Sequence, residues 1–331
     1  MAVYQKEINV VMKNLYLRLR SFFSPLKIWF FSKKNPFKLA DKDYNKNMKK
    51  STGINWEHPG DLIEKIYWLQ MYSDTKLWTK CADKYRVREY VEGKGFTSSL
   101  NELYGKWDSE KDIDWDSLPN SFVLKINNGC GNVFIVDDKT RADKGAIKKN
   151  LHQMFRIRYG DENAQLHYTY IKPCIIAEKL LVNEENPDQS LTDYKFWCLN
   201  GVPQFILVVY NRVNHNYQLG IYDLEWNDIY QKAFDKNSRH YHESHIPKPK
   251  SFDKMLEMAK ALSLDFEEVR VDLYEIAGNP VFGELTFTTG YGYWTNDFYQ
   301  QMGEILDLSK VKCLPTPNKP ARYSLLPNLF R

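Results

Sequence analysis

Arg270, Asp272, Glu284 and Thr286 are the residues of this chain whose types and spacing best suit chemistry at a charged oxygen. They lie in two β-rich runs, 268–274 and 282–287, joined across Gly278-Asn279-Pro280, which predicts a hairpin. Side chains alternate faces along a strand. Arg270 and Asp272 therefore share one face of the first strand, and Glu284 and Thr286 share one face of the second. Two carboxylates, a cation and a hydroxyl then gather in an otherwise apolar hairpin. Oxygen donors of this kind suit Mg2+, which usually takes one or two carboxylates plus phosphate oxygens. The same alternation fits a half-buried hairpin with ordinary salt bridges. Spacing alone leaves both readings open.

A second stretch, 121–137, places Asn127-Asn128-Gly129-Cys130-Gly131-Asn132 between two apolar β runs. Glycines let backbone N–H groups turn toward a phosphate, and Lys125 adds a point charge at the end of the first run. A phosphate loop of the Gly-Lys-Ser/Thr kind would lead into a helix. This one is a hairpin loop, a feature that is also an ordinary turn. Glu178 belongs to a strand over 174–182, and Lys195 alternates with buried-type residues over 193–200. His240, His242 and His245 have no Cys or carboxylate at a fixed metal-ligand spacing, and read as a solvated loop.

These residues need elements to position them. Apolar periodicity predicts helices over 61–72, 144–158 and 252–264, and another over 83–91 capped by Asp83. Further strands are expected over 204–210 and 218–224. The polar stretch 108–116 reads as a loop.

Composition narrows the class. The chain has 331 residues, 43% apolar and 15% aromatic, enough for a proper core. Its five cysteines are scattered, without a C-x-x-C pair, which points away from a zinc site or disulfide scaffold and toward a reducing compartment. No secretory signal is read at the start. The net charge of +4 is uneven: residues 1–50 hold 12 Lys/Arg against Glu7, Asp41 and Asp43. The rest is mildly acidic, which argues against a nucleic-acid partner.

Residues 1–50 read as a basic amphipathic arm. Val11, Leu15, Leu19, Phe22 and Leu26 recur at helical spacing, Lys13, Arg20 and Lys27 lie on another face, and Pro25 should break or kink the helix. Arg18 and Arg20 make a membrane-spanning helix unsuitable. Residues 8–34 fit an anionic membrane surface, and also a helix docked on the protein's own body or a partner-binding segment.

Several segments resemble ATP-grasp ligases, and Arg270-x-Asp272 is similar to the spacing in D-alanine–D-alanine ligases. Thr286 stands where Asn is usual, and Gly290 and Gly292 follow as in the ligases' glycine turn. From about 52 to 303 the chain is closely similar to the TupA-like ATP-grasp proteins, named for teichuronopeptide biosynthesis. The carriers are Glu64-Lys65-Ile66-Tyr67-Trp68-Leu69, Asp83-Lys84-Tyr85-Arg86-Val87-Arg88-Glu89-Tyr90, Leu118-Pro119, Phe122-Val123-Leu124-Lys125, Ile176-Ala177-Glu178, Asp193-Tyr194-Lys195-Phe196, Arg270-Val271-Asp272-Leu273 and Phe282-Gly283-Glu284-Leu285-Thr286-Phe287. The lid differs: Asn-Asn-Gly-Cys-Gly replaces the family's frequent Asn-His-Gly-Ser-Gly.

The resemblance implies an α+β ATP-grasp fold, two lobes clasping ATP. The expected organisation is an arm over 1–50, a helical region over 51–117, ATP-grasp lobes over 118–310 and a tail over 311–331. It implies ATP and Mg2+ as cofactors. Lys125, Lys195 and the loop residues Asn128, Gly129 and Gly131 would hold phosphates, and Glu178 the adenosine side. Asp272, Glu284 and Thr286 would hold the metal, and Arg270 would stabilise an acyl phosphate. The implied reaction is amide formation between a carboxylate and an amine. In the family's context this is a uronic-acid carboxyl of a cell-surface polysaccharide or its precursor, and an amino acid or amine. Action in the cytoplasm, with attachment at the inner face of the membrane, is the matching expectation. The alternatives are a glycosyltransferase of polysaccharide synthesis, for which Asp112-Ile113-Asp114 offers the letters but not a preceding apolar strand, and a non-catalytic membrane-associated scaffold.

Overall fold

The need to pair every backbone group decides where the strands of this computed structural model lie. It describes residues 35–131, 133–155, 157, 159–161, 164–183, 189–213, 216–235, 241–243 and 245–321. The chain forms two compact units. One is built on Glu102–Leu180, and the other on Ala40–Asn101 with Leu181–Asn318. Among the described residues, no helix is long and apolar enough to cross a membrane. The amphipathic pattern over 11–26 and the membrane segment 8–34 lie outside the described residues.

Among the described residues, four helices come first: α1 (Pro36–Met48), α2 (Leu62–Tyr72), α3 (Lys76–Ala82) and α4 (Val87–Gly93). Helix α2 starts where its capping chemistry dictates. Asp61 Oδ1 accepts from the backbone N–H groups of Ile63 and Glu64, both at 2.9 Å, and Glu64 reaches back to the Asp61 N–H. The Tyr44 hydroxyl donates to Asp61 Oδ2 at 2.5 Å, and Ala40, Tyr44 and Met48 are buried. Helix α1 falls within the stretch read as an arm, yet from Ala40 onward it belongs to the second unit. Helix α4 begins at Val87, not at Asp83: the Asp83 carboxylate instead closes a turn on the N–H groups of Tyr85 and Arg86.

The first unit is a four-stranded antiparallel sheet in the order β1-β4-β2-β3, from β1 (Leu103–Trp107), β2 (Phe122–Ile126), β3 (Val133–Val136) and β4 (Ile175–Glu178). Helix α5 (Lys144–Phe155) buries Leu151 and Met154 with Phe122, Leu124, Ile126, Ile175 and Ala177 in one core. The stretch 108–116 is irregular, as its polarity suggests, but Ile113 and Trp115 anchor it in that core. Alternation then turns Lys125 and Glu178 to the opposite face, away from α5.

The second unit carries the six-stranded sheet β10-β9-β5-β6-β7-β8. Its strands are β5 (Asp193–Leu199), β6 (Val202–Val213), β7 (Asn216–Tyr222), β8 (Tyr241–His242), β9 (Glu268–Ile276) and β10 (Asn279–Thr286). Helices α6 (Tyr230–Ala233), α7 (Phe252–Ser263) and α8 (Asn296–Ile305) accompany them. All pairs are antiparallel except β7 with β8. Helix α7 lies across β5, β6 and β9, with Phe252 against Phe196 and Met255, Met258, Ala259 and Leu262 buried. That side takes Val269, Val271 and Leu273 of β9, and so the opposite face receives Arg270 and Asp272.

The β9–β10 turn is one residue earlier than the sequence suggests. Ala277 and Gly278 form it, with φ of 48° and 71°, the conformation of a two-residue hairpin turn. Asn279 and Pro280 already belong to β10, where proline is tolerated because β10 is a sheet edge. Pairing then shifts between Phe282 and Glu284, so that Phe282 faces Leu273 while Glu284 faces Asp272 and Thr286 faces Arg270. Gly283 is the extra residue of this bulge. A regular ladder would set Glu284 opposite Val271, on the α7 side. The bulge is therefore what brings the two carboxylates onto one face.

A Cβ at Gly283 would lie 2.9 Å from the Asp272 carbonyl oxygen and 3.1 Å from the Tyr274 ring. Gly283→Ala should cost about 1–3 kcal/mol of stability, the usual scale of overpacking. Urea unfolding checks this: an unchanged midpoint would mean that the bulge accommodates a side chain and does not depend on glycine.

Candidate active site

The sequence candidates fall into two groups, one in each unit. In the first unit, Val123 faces Glu178 and Lys125 faces Ile176 across β2 and β4. Lys125 and Glu178 are thus diagonal neighbours on one face, and the Lys125 ammonium donates to Glu178 Oε2 at 2.7 Å. The hairpin loop beyond β2 is shaped by its glycines: Gly129 and Gly131 have φ of 70° and 74°, a region L side chains rarely enter. Gly129 also lies under the Tyr159 ring, 2.4 Å from where a Cβ would sit. Asn128 is buried at the base of the loop. Asn127 extends the sheet by exchanging backbone and side-chain hydrogen bonds with Cys174.

In the second unit, Asp272 lies beneath two cations. Arg270 grips it with a fork, Nε donating to Oδ1 at 2.6 Å and Nη2 to Oδ2 at 2.7 Å. Lys195 on β5, directly across from Asp272, donates to Oδ2 at 2.6 Å. The Arg270 guanidinium is held further by Thr289 Oγ1 at 2.6 Å, by Thr286 Oγ1 at 3.1 Å and by the face of Trp197, whose ring centre is 5.3 Å away. Thr286 in turn donates to Glu284 Oε1 at 3.1 Å. Its hydroxyl therefore links Arg270 to Glu284. Glu284, with 39% of its side chain exposed, is the open member of the group. Lys84 stands 3.7 Å from its other oxygen.

Electrostatics follow from burial and pairing. Burial opposes the charge on Asp272, but Arg270 and Lys195 outweigh it and hold the carboxyl below its ordinary range. Burial likewise works against the Arg270 charge, and Asp272 more than compensates, so the guanidinium stays protonated. Tyr293 is pushed up to about 12 by burial. Tyr274 is raised well above its usual value, first by the charge on Asp193.

The sequence reading quotes Asp193 in the run Asp193-Tyr194-Lys195-Phe196 but gives a role to Lys195 alone. It opens β5, and its Oδ2 accepts from Lys195 at 2.7 Å. Burial raises its carboxyl. The signal available was Asp-x-Lys at strand spacing, which puts a carboxylate beside the lysine on the same face. The glycine turn after β10 was legible. Gly292 has φ of 88° and lies where a Cβ would be 2.3 Å from the Asn47 carbonyl oxygen of α1. Asp43 of the same helix accepts from the hydroxyls of Tyr67 and Tyr291, both at 2.8 Å. Helix α1 thus supports the loop that carries Thr289.

Of the three histidines, His245 is exposed in a turn, as expected of a solvated loop, and His242 departs from that reading. His242 lies in β8, paired with Asp228 at 2.8 Å and stacked on Tyr230. His240 lies outside the described residues. Among the described residues, no three His, Cys, Asp or Glu side chains form a metal-binding group. Asp272 and Glu284, set opposite each other, still supply the all-oxygen pair that Mg2+ takes when phosphate oxygens complete its shell. In Asp112-Ile113-Asp114, Ile113 is core and Asp114 closes a turn on the N–H groups of Asp116 and Ser117.

The two carboxylates should respond differently to neutralisation. Asp272→Asn strands two cations in a site that is 2% exposed, and should cost about 3–5 kcal/mol. Glu284→Gln leaves no buried cation unpaired and should change stability by roughly 1 kcal/mol or less. Denaturant unfolding of both proteins decides this. Equal losses would mean that Asp272 is not the counter-ion the geometry makes it.

The TupA-like ATPgrasp family profile matches residues 64–307. No curated protein matches the chain. Among solved structures, the D-alanine–D-alanine ligase of Bacillus anthracis is 15% identical over 71% of this chain and 66% of its own, with a TM-score of 0.42. That of Helicobacter pylori is 13% identical over 75% and 67%, with a TM-score of 0.42. A RimK domain ATP-grasp protein from Sphaerobacter thermophilus is 11% identical over 70% and 69%, with a TM-score of 0.39. The chain spans about two thirds of the length of these ligases. The family match runs from α2 to just beyond α8, well over half of the sequence: this chain belongs to the TupA-like ATP-grasp family, and it has the α+β fold of an ATP-grasp enzyme.

Proposed function

We propose that the protein is an ATP-dependent carboxylate–amine ligase that works through an acyl phosphate. The observation that carries this reading is the Arg270–Asp272–Glu284 cluster, a buried guanidinium fork beside two facing carboxylates, in a chain of this family. A substrate carboxylate oxygen attacks the γ-phosphorus of ATP, releasing ADP and forming an acyl phosphate. An amine then attacks the acyl carbon and gives up a proton, and inorganic phosphate leaves as the amide forms. Mg2+, held by Asp272 and Glu284, would supply charge neutralisation to the transferring phosphoryl group. Lys125 and Lys195 would contact phosphates, the Gly129 and Gly131 backbone with Asn128 would cover them, and Glu178 would serve the adenosine side. Arg270 would meet the negative charge that grows on the acyl phosphate and the tetrahedral intermediate. Its fork is already oriented by Thr286, Thr289 and Trp197, so little reorganisation is needed at the moment of reaction. Thr286 would steady Glu284 through its hydroxyl.

The family's context in cell-surface polysaccharide synthesis supports a uronic-acid carboxyl, on a polymer or its precursor, as the first substrate and an amino acid or amine as the second. Use of ATP supports action in the cytoplasm. The basic arm, through residues 8–34, is proposed to draw the enzyme to an anionic membrane surface, on the strength of 12 Lys/Arg against three acids in residues 1–50.

The chemistry is testable with hydroxylamine as the amine. A panel of uronic acids, free and as sugar nucleotides, should yield a hydroxamate together with ADP for at least one member. Glu284→Gln should lower that rate by more than about 10²-fold while the protein stays folded. ADP release without any hydroxamate across the panel speaks against a carboxylate substrate of this class. Wild-type rates in Glu284→Gln remove the metal role from Glu284. Loss of an amide substituent from the surface polysaccharide of cells lacking the protein is the matching expectation in the cell.

A further inference from the structure

Two cations share one carboxylate in this site, and that arrangement cannot persist unchanged if Asp272 is to meet a divalent cation. Arg270 Nη2 and Lys195 Nζ both donate to Asp272 Oδ2, at 2.7 and 2.6 Å, and Arg270 Nε occupies Oδ1. A third positive centre brought to the same oxygens would be repelled strongly at such distances in a buried setting. One cation must withdraw. Arg270 is poorly placed to do so: its planar fork matches the carboxylate at two points, Thr286 and Thr289 fix its outer nitrogens, and it lies on the Trp197 ring. Lys195 is better placed. It is a point charge on a flexible stem. Among the described residues, its ammonium is held by Asp272 and Asp193 alone.

Asp193 is built to receive it. Its Oδ2 already accepts from Lys195 at 2.7 Å. Its Oδ1 is buried with no hydrogen-bond partner, which is costly for a carboxylate oxygen and calls for a physical reason. Arg212 stands 3.9 Å from Oδ2, beyond a hydrogen bond, and leaves Oδ1 untouched. A small swing of the Lys195 ammonium away from Asp272 would let it bond both oxygens of Asp193. We propose that Asp193 is the second seat of Lys195: the ammonium rests between Asp193 and Asp272 in the metal-free protein, and leaves Asp272 for both oxygens of Asp193 when a divalent cation takes Asp272, with its third N–H left for a phosphate. Asp193 is thus a positioning residue, which acts through Lys195 to free a carboxylate. The inference rests on the assignment of a metal to Asp272 and Glu284.

A double-mutant cycle tests it, read by electron paramagnetic resonance titration of Mn2+ alone, without nucleotide. Asp193→Asn should weaken Mn2+ binding by about tenfold or more, because Lys195 then stays on Asp272. In a Lys195→Met background the competitor is gone, and adding Asp193→Asn should change Mn2+ affinity by less than about threefold. A simple field effect of the Asp193 charge predicts the same loss in both backgrounds, and that result would overturn the proposal, as would wild-type affinity in Asp193→Asn. The Asp193→Asn/Lys195→Met double variant removes a buried pair together and keeps half of the cycle readable even if Asp193→Asn alone does not fold. Glu284→Gln separates the two levels. If it leaves Mn2+ binding unchanged, the metal assignment fails and the proposal with it. If it abolishes binding while the cycle is additive, only the role of Asp193 fails.

Discussion

The buried ion pair between Arg270 and Asp272 is the constraint around which the second unit is organised. Burying opposite charges gains little unless every donor and acceptor is met. Here the fork is bidentate, Lys195 takes a second share of the carboxylate, and Thr286, Thr289 and the Trp197 ring complete the guanidinium's surroundings. Each partner comes from a different place: β5, the end of β10, and the loop that follows it. The sheet must therefore hold its register, α7 must cover the opposite apolar face, and the loop after β10 must turn back at Gly292 against α1.

The same arrangement has the properties that phosphoryl and acyl transfer require. Positive charge is fixed in advance, and on the proposed chemistry it stands where negative charge would develop, beside a partly exposed carboxylate that would take a cation. On the proposed chemistry, the cost of keeping Arg270 and Asp272 out of water is offset by a site that needs little rearrangement. The first unit presents a simpler device, one lysine–glutamate pair on the open face of a sheet and a loop whose two glycines hold left-handed backbone. Within it the Cys130 thiol lies 3.1 Å from the Tyr159 hydroxyl, beside the ring that covers Gly129.

Much of this was legible in the sequence because it depends on local periodicity. The pairing of Arg270 with Asp272 on one strand face, and of Glu284 with Thr286 on another, follows from alternation alone. The β2–β3 hairpin follows from turn chemistry and α2 from the apolar periodicity of 61–72, while the Asp61–Glu64 box that starts it emerged with the structure. What was hidden depends on contacts between distant segments. The bulge at Gly283 decides which faces coincide, and only the packing of β10 on β9 reveals it. Asp193 gains its meaning from Asp272, 79 positions away in the numbering, through their shared lysine. Tyr44 looked like part of a charged arm until Asp61 supplied its partner. His242 found a carboxylate in Asp228, at a separation that matches no metal-ligand spacing. The short helix α3 and the strand β1 carry weak periodicity and are held mainly by their neighbours.

The central claim is that the Arg270–Asp272–Glu284 face activates a carboxylate as its acyl phosphate. Transfer of an oxygen isotope tests it directly. A carboxylate substrate labelled with ¹⁸O in both carboxyl oxygens is turned over with ATP and an amine, and the released inorganic phosphate is examined by mass spectrometry. An acyl phosphate must leave one labelled oxygen in each phosphate, because the attacking carboxylate oxygen departs with phosphorus. Phosphate free of label, or label found in AMP, would contradict the account.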